Sequence, residues 1–248
     1  MTGALEARLG VRRGAFELDA ELVLAPGTVL AVVGRNGAGK STALATLAGI
    51  TPLSGGRIVL DGVLLDDGGR GFEPPERRPV GLVLQQPALF PHLTVLDNVA
   101  FGLRAAGAGR ADAREQAQHA LEDQGLGDFT DRRPSQVSGG QAARIALVRA
   151  LVRRPALLLL DEPLAAIDAE LRPALRASIR GVLDSFPGSA IVVTHDVADA
   201  EALADEVVVL DSGRVLQRGP LAGLRAEPAD PVVTRLLAGA GQDGGSGG

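Results

Sequence analysis

The feature that most constrains this chain is the stretch TVLAVVGRNGAGKST, residues 28–42. Its first part, Val29–Val33, is an apolar run rich in β-branched residues, which predicts a buried strand. Gly34–Ser41 then fits the pattern G-x-x-x-x-G-K-[ST], and Ser41–Ala48 has the pattern of a helix that Gly49 terminates. A strand, a glycine loop and a helix in direct succession predict an α/β fold built on a P-loop.

The glycine loop predicts a site for the phosphates of a nucleotide. Glycines allow successive backbone N–H groups to face one concave cradle, and the helix N-terminus adds partial positive charge. Lys40 is the only lysine in the chain, and its compact charge suits the β- and γ-phosphates better than an arginine fork does. The Ser41 hydroxyl is a predicted Mg²⁺ ligand. The candidate binding residues are Gly34, Arg35, Asn36, Gly37, Ala38, Gly39, Lys40, Ser41 and Thr42.

An acidic pair predicts the hydrolytic part of the site. Asp161 and Glu162 directly follow the apolar run Leu157–Leu160, so they lie at the carboxyl end of a predicted central parallel strand, where α/β folds bind ligands. Asp161 is predicted to hold Mg²⁺ through water. Glu162 is predicted to orient or deprotonate the water that attacks the γ-phosphate.

A second glycine motif, Ser138-Gly139-Gly140-Gln141, opens another predicted helix. Ser138 and Gln141 have the spacing of a capping box. Capping does not explain the two glycines, which cost stability relative to alanine in a first turn. They indicate that something approaches the backbone closely, and a phosphate at the helix N-terminus is the obvious candidate.

The composition excludes several kinds of protein. The chain has 248 residues, of which 46% are apolar and 22% charged, as in ordinary globular proteins. The net charge of −5 argues against bulk nucleic-acid binding. The absence of cysteine excludes disulfides and thiolate chemistry. The lack of cysteine also fits a cytosolic address. The N-terminus lacks the apolar core of a signal peptide, and no run approaches the ~20 apolar residues of a spanning helix, so we expect any role in a membrane process to be performed from outside the bilayer.

The order of the patterns predicts one cassette over residues 1–238. An antiparallel β subdomain is expected at about 1–30 and 55–66, and a helical subdomain is expected as an insertion at about 88–153. We also expect a helix that Thr94 opens with a capping box, a helix over about Glu170–Ser185 and a helix over Pro220–Ala238. The glycine-rich residues 239–248 are expected to be disordered and too poor in apolar side chains to form a regulatory domain.

In this order, the motifs resemble those of the nucleotide-binding subunit of an ABC transporter. The resemblance covers residues 4–238 and predicts an α/β, P-loop NTPase cassette of the ABC type. The matching segments are GRNGAGKST (34–42), Gln85 in LVLQQP, VSGGQ (137–141), LLLLDEP (157–163), AAID (165–168) and THD (194–196).

The resemblance implies roles for residues that their surroundings alone do not single out. ATP and Mg²⁺ would be the cofactors. Gln85 would contact Mg²⁺ and sense the γ-phosphate, and His195 would reach the γ-phosphate as a switch. The predicted catalytic residues are therefore Glu162, His195 and Gln85. The predicted Mg²⁺ ligands are Ser41, Gln85 and Asp161. Two subunits, as a homodimer or a pair, would hold each ATP between the P-loop of one chain and Ser138–Gln141 of the other, with Asp168 at their interface.

The sequence departs from the family pattern at three places. Val137 replaces the usual leucine, and Ala142-Ala143 replaces residues that are more often polar or basic. The aromatic side chain that usually stacks on adenine is missing at its expected place. An arginine plane from Arg12 or Arg13, or the ring of Phe16, is the candidate substitute.

The stretch QPALFPHLTV resembles the ATPases of importers that work with a solute-binding protein, which implies a permease partner and a peripheral location at the cytoplasmic face of the cell membrane. We expect the permease to dock beside Gln85, Phe90–Leu96 and the helix that ends near Arg104. The sequence is most similar to molybdate and tungstate importer ATPases, and sulfate, ferric iron and polyamine importers are the alternatives.

Two other interpretations are less favoured. A soluble ABC ATPase that acts on nucleic acid or ribosomes is disfavoured by the single cassette and the negative net charge. A scaffold without turnover is disfavoured because Glu162, Gln85 and His195 are all present.

Overall fold

The apolar runs become strands of a single ten-stranded sheet in the computed structural model, which describes residues 2–165 and 167–238. The strands are β1 (Leu5–Arg13), β2 (Phe16–Leu24), β3 (Val29–Val33), β4 (Gly55–Leu60), β5 (Val63–Asp66), β6 (Val80–Val83), β7 (Leu157–Asp161), β8 (Ser189–Thr194), β9 (Glu206–Asp211) and β10 (Arg214–Gly219). Their spatial order is β5-β4-β1-β2-β10-β9-β3-β8-β7-β6.

The sheet has two parts of different character. Strands β9, β3, β8, β7 and β6 are parallel to one another, and β3 and β8 are buried at every residue, as expected for strands covered on both faces. Strands β5, β4, β1 and β2 pair antiparallel. In β1 and β2, buried and exposed residues alternate over most of the length, as in a sheet with one face in solvent. The predicted α/β class and the N-terminal antiparallel β region are therefore confirmed.

Eight α-helices lie within the described residues. They are α1 (Lys40–Leu47), α2 (Val95–Ala105), α3 (Arg110–Asp123), α4 (Gly139–Leu151), α5 (Arg172–Ser185), α6 (Val197–Leu203), α7 (Leu221–Ala226) and α8 (Pro231–Leu237). Helices α2, α3 and α4 share an apolar cluster of their own, which includes Val99, Leu121 and Ile145, each 0% exposed. This cluster contains no strand residue and is separate from the core clusters that include the strands.

Three predictions about helices need correction. The single helix expected over Pro220–Ala238 is two helices, α7 and α8. Pro228 and Pro231 lack backbone N–H groups, and Asp230 caps α8 by accepting a 2.7 Å hydrogen bond from Val232 N. Helix α5 begins at Arg172 rather than near Glu170.

The third correction concerns the capping box at Thr94. Only half of it forms: Thr94 Oγ1 accepts from Asp97 N at 3.1 Å. The Asp97 carboxylate pairs with Arg114 Nη1 at 3.0 Å instead of reaching back to the Thr94 backbone. The partner arginine lies on α3, so this contact depends on tertiary packing that a local pattern does not contain.

Candidate functional site

The glycine loop folds as a tight turn between β3 and α1. A Cβ atom at Gly34 would lie 2.2 Å from the Leu210 carbonyl oxygen, and one at Gly39 would lie 2.9 Å from Phe16 Cζ. Gly39 also has φ +107°, a conformation that side chains of L-residues rarely adopt. Both glycines are therefore required by the fold of this chain itself.

The start of α1 leaves its backbone donors available. Gly39 is the N-cap residue and provides no side-chain cap, so the first N–H groups of the helix have no side-chain cap among the described residues. Lys40 is only 6% exposed, and its Nζ donates to the carbonyl oxygens of Gly34 at 2.8 Å and Arg35 at 3.1 Å. Burial lowers the pKa of Lys40, and the charges of Glu162 and Asp161 oppose that shift. We call Gly34–Thr42 the phosphate cradle.

The predicted metal group begins with a contact across the cleft. Ser41 Oγ donates to Asp161 Oδ1 at 3.3 Å, which joins α1 to the carboxyl end of β7. Burial raises the pKa of Asp161, and the hydrogen bond from Ser41 opposes that shift. A hydroxyl and a carboxylate together are hard oxygen donors of the kind that Mg²⁺ prefers, so these two residues fit that ion.

Glu162 and His195 meet at the same edge of the sheet. Strands β7 and β8 are parallel neighbours with Asp161 opposite Val193, which brings the residues that follow each strand together. Glu162 Oε2 lies 2.9 Å from His195 Nδ1. An ionised carboxylate only accepts hydrogen bonds, so Nδ1 carries the hydrogen whenever Glu162 is ionised. Glu162 also has φ +46°, a left-handed backbone conformation that is uncommon for a residue with a Cβ atom.

The segment after His195 is held by arginines that the sequence analysis did not single out. Arg176 contacts Asp196 at 3.3 Å and also pairs with Asp199, while Arg172 donates to the Ile167 carbonyl at 3.1 Å and lies 3.5 Å from Asp196. Burial raises the pKa of Asp199, and the hydrogen bond from Arg176 opposes that shift. The available signal was the spacing of four residues between Arg172 and Arg176, which places both on one helical face.

Most of the phosphate cradle lines one cleft of about 780 Å³ together with Glu162 and His195. The residues that line it are Phe16, Asn36, Gly37, Gly39, Lys40, Ser41, Thr42, Gln85, Glu162 and His195. Gln85 is exposed at its rim and follows β6 by two residues. Among the adenine candidates, Phe16 lines the cleft, whereas Arg12 pairs with Glu17 at 3.1 Å on the surface.

Ser138–Gln141, which we call the signature segment, does not line this cleft. It forms the predicted capping box: Gln141 N donates to Ser138 Oγ at 3.3 Å, and Ser138 N donates to Gln141 Oε1 at 2.9 Å. A Cβ atom at Gly140 would meet nothing within 4 Å, and one at Gly139 would meet only Ile167 Cδ1 at 3.8 Å. Among residues 2–165 and 167–238, no packing contact requires either glycine.

The predicted interface residue Asp168 is exposed. It lies in the AAID segment, of which Ala166 is outside the described residues. The structure thus brings the phosphate cradle, Gln85, Asp161, Glu162 and His195 to one edge of the parallel sheet, and it leaves the signature segment and Asp168 at the surface.

Comparisons with known proteins agree with this geometry. A family model described as ABC transporter matches residues 18–165. The chain is 40% identical over 226 residues to an Fe(3+) ions import ATP-binding protein of Rhizobium etli, covering 90% of this chain and 63% of that protein. It is 43% identical over 225 residues to a molybdenum import ATP-binding protein of Mycobacterium tuberculosis, covering 88% of this chain and 61% of the relative. The chain therefore spans 61–63% of the length of these two relatives.

A solved structure shows the same fold. A dimeric ATP-binding cassette, in a post-hydrolysis state bound to ADP and Pi, superposes with a TM-score of 0.72 at 24% identity and covers 87% of this chain and 98% of its own. This confirms the P-loop cassette fold with its inserted helices. The family model matches more than half of the residues, and this match shows that the chain belongs to the ABC transporter family.

Proposed function

We propose that this chain is an ATP-hydrolysing nucleotide-binding subunit that powers the import of a small solute through a membrane permease. The observation that carries the proposal is the meeting of Lys40, Ser41, Glu162 and His195 in one cleft at the carboxyl edge of the parallel sheet. A helix N-terminus without a side-chain cap binds phosphate oxygens, and a carboxylate beside it is placed to act on water.

Each residue of the cleft has a separate role in the proposed hydrolysis. The phosphate cradle holds the β- and γ-phosphates, with Lys40 moving from loop carbonyls to phosphate oxygens. Ser41 and Asp161, together with Gln85, would hold Mg²⁺, which when bound neutralises charge on the phosphates. Glu162 takes a proton from the attacking water, and the water oxygen bonds to the γ-phosphorus as the bond from that phosphorus to the β,γ-bridging oxygen breaks. ADP and inorganic phosphate leave, and Glu162 releases its proton to solvent. His195 fixes the Glu162 carboxylate through the 2.9 Å contact.

Substitution of the proposed base tests this assignment. Glu162→Gln should lower ATP turnover by about 10²–10⁴-fold, the usual contribution of a general base, while ATP binding measured by calorimetry stays intact because the cradle is unchanged. Glu115→Gln is the matched control, since Glu115 is exposed on α3. Full turnover by purified Glu162→Gln would remove Glu162 from the mechanism.

We also propose that two copies of the chain, or two paired ATPase subunits, complete each site head to tail. The signature segment lies outside the cleft of its own chain, and its glycines leave room that no described residue of the chain fills. A phosphate held by a second chain would occupy that room. The relative of known structure is dimeric, which supports the same arrangement.

The permease would dock on the apolar surface beside Gln85. Leu84 and Phe101 are each 44% exposed, and the Phe101 ring packs against Phe90 with centroids 4.6 Å apart. Leu96, predicted to contribute, is only 8% exposed, and Val95 is 0% exposed because both join the helical cluster. We therefore correct the proposed surface to Leu84, Phe90 and Phe101.

No helix in residues 2–165 or 167–238 combines the length and apolar character needed to cross a membrane. Contact with a permease would place the chain at the cytoplasmic face of the membrane as a peripheral subunit. Because the chain has no cysteine, single cysteines at Phe101 and at exposed Arg214, as control, can be cross-linked to a co-expressed permease. Cross-links formed only from Arg214 would contradict the proposed surface.

For the solute we propose an oxyanion such as molybdate, supplied through a solute-binding protein. The motif sequences and the molybdenum import relative support this choice, and the Fe(3+) import relative supports ferric iron as the second candidate. The chain should restore growth of a bacterial strain that lacks its molybdate importer ATPase and not of one that lacks its ferric importer ATPase. The reverse result would select iron.

A further inference from the structure

The loop after the glutamine, Pro87–Thr94, contains one residue in an unfavourable backbone conformation. We call this segment the docking loop. Ala88 has φ +45°, which is a left-handed conformation. For a residue with a Cβ atom, this conformation is populated roughly 5- to 30-fold less than the right-handed one. Such a conformation persists only where the surrounding contacts hold it, so the contacts of Ala88 identify what fixes this loop.

Arg149 on α4 supplies those contacts. Its Nη1 donates to the Ala88 carbonyl oxygen at 2.8 Å, and its Nη2 donates to the Pro87 carbonyl oxygen at 2.9 Å. The guanidinium also lies 5.8 Å from the centroid of the Phe90 ring. Burial lowers the pKa of Arg149, and no carboxylate in the described part of the chain opposes that shift. The Arg149 guanidinium therefore contacts the docking loop through two hydrogen bonds and the Phe90 ring.

The other end of the docking loop is held by α2. Asn98 is fully buried. Its Oδ1 accepts from Phe90 N at 2.7 Å, and its Nδ2 donates to the carbonyl oxygens of Phe90 at 3.1 Å and Thr94 at 2.9 Å. The docking loop is therefore fastened to two helices, and only the exposed residues 84–86 separate it from the end of β6.

We propose that Arg149 is a positioning residue for Gln85. By holding Ala88 in the left-handed conformation, Arg149 sets the direction in which the chain leaves residues 84–86 and so fixes Gln85 at the rim of the cleft. The same contact joins the docking loop to α4, the helix that begins with the signature segment. This inference rests on the proposed ATP hydrolysis, in which Gln85 acts at the γ-phosphate.

The first test separates turnover from nucleotide binding. Arg149→Met should lower kcat for ATP about tenfold, the scale of the left-handed penalty, with KM unchanged because the phosphate cradle is not touched. Arg153→Met is the matched control, since Arg153 gives a single exposed hydrogen bond to the Glu76 carbonyl. It should stay within about twofold of the unmodified chain. A rise in KM with unchanged kcat would overturn the proposal.

The second test uses the strained residue itself. Glycine at position 88 adopts a positive φ without penalty, so Ala88→Gly should restore most of the kcat lost in Arg149→Met. An effect of Arg149 that does not act through Ala88 would not respond to this change. If Arg149→Met causes the same loss of kcat with Ala88→Gly as without it, the proposal is refuted.

Hydrogen exchange provides a readout independent of hydrolysis. In the nucleotide-free full chain, Arg149→Met should accelerate amide exchange in residues 86–94 and leave α1 and β7 unchanged, and Arg153→Met should change neither. If Arg149→Met does not fold, Arg149→Lys takes its place, because an ammonium cannot hold two carbonyls as a planar fork does. Unchanged exchange in residues 86–94 would overturn the proposal. Absence of ATP turnover in the unmodified chain would refute the proposed function. In that case the exchange rates in residues 86–94 would still test whether Arg149 positions this segment.

Discussion

The two glycine motifs of this chain start two helices in opposite ways. Helix α1 follows Gly39, which has φ +107° and no room for a Cβ atom, and its N-terminus has no side-chain cap. Helix α4 follows Ser138, and its capping box is complete. Apart from its chain neighbours and the backbone of its own helix, no described residue lies within 4 Å of a Cβ atom placed at Gly140. The first motif is shaped by the fold of its own chain. The second has glycines that no described residue of the chain requires by packing, which supports the proposal that a second chain approaches them.

The largest effect is expected at the first motif. Gly39→Ala forces a side chain into a left-handed residue and toward the Phe16 ring, and such strain costs about 1–3 kcal/mol. We expect ATP binding and turnover to be lost, because the cradle distorts, together with a lower Tm. Calorimetry with ATP and thermal unfolding measure both. Normal ATP affinity in this variant would show that the cradle does not depend on its glycine.

Substitution in the second motif should raise the stability of the chain, whereas Gly39→Ala lowers it. Gly140→Ala replaces a glycine in an open helical position, so it should stabilise the isolated chain by about 0.5–1 kcal/mol. If a nucleotide on a second chain approaches this backbone, turnover should fall on the order of 10²-fold from the misplacement. Thermal unfolding and a phosphate-release assay decide the matter. A variant that is more stable and fully active would show that nothing approaches Gly140.

The smallest effect is expected at Asp161, the last residue of β7, which accepts a hydrogen bond from Ser41 of the first motif. Burial raises the pKa of Asp161, so the ionised carboxylate is less favourable in the folded chain than in the unfolded chain. Asp161→Asn should therefore raise the Tm of the nucleotide-free chain at pH 7. As the pH falls through the raised pKa, the native Asp161 takes up a proton and the difference in Tm should shrink. A difference that grows toward acidic pH would contradict this assignment.

The same contrast explains how much could be predicted from the sequence. Strands β3 and β7 and helix α1 were predictable because apolar runs, glycines and their order act locally. The capping box at Ser138 was predictable for the same reason. These local rules also placed the phosphate cradle and the acidic pair at the ends of their strands.

Contacts between distant segments could not be predicted in this way. The approach of His195 to Glu162 depends on the register of β7 against β8. The hydrogen bond from Arg149 to the Ala88 carbonyl oxygen depends on how α4 packs beside the docking loop. Burial of Leu96 follows from a cluster shared by three helices. The division of the C-terminal helix could have been predicted, since Pro228 and Pro231 mark it in the sequence.

The central proposal is that ATP on the α1 motif of one chain is covered by the α4 motif of another. Sedimentation of Glu162→Gln tests it most directly, because this variant should bind ATP without hydrolysing it. We expect a monomer without nucleotide and a dimer with saturating ATP and Mg²⁺. Glu162→Gln combined with Gly140→Arg, which has room to fold, should bind ATP and remain monomeric. Monomeric Glu162→Gln at saturating ATP, or a dimer unaffected by Gly140→Arg, would contradict the proposal.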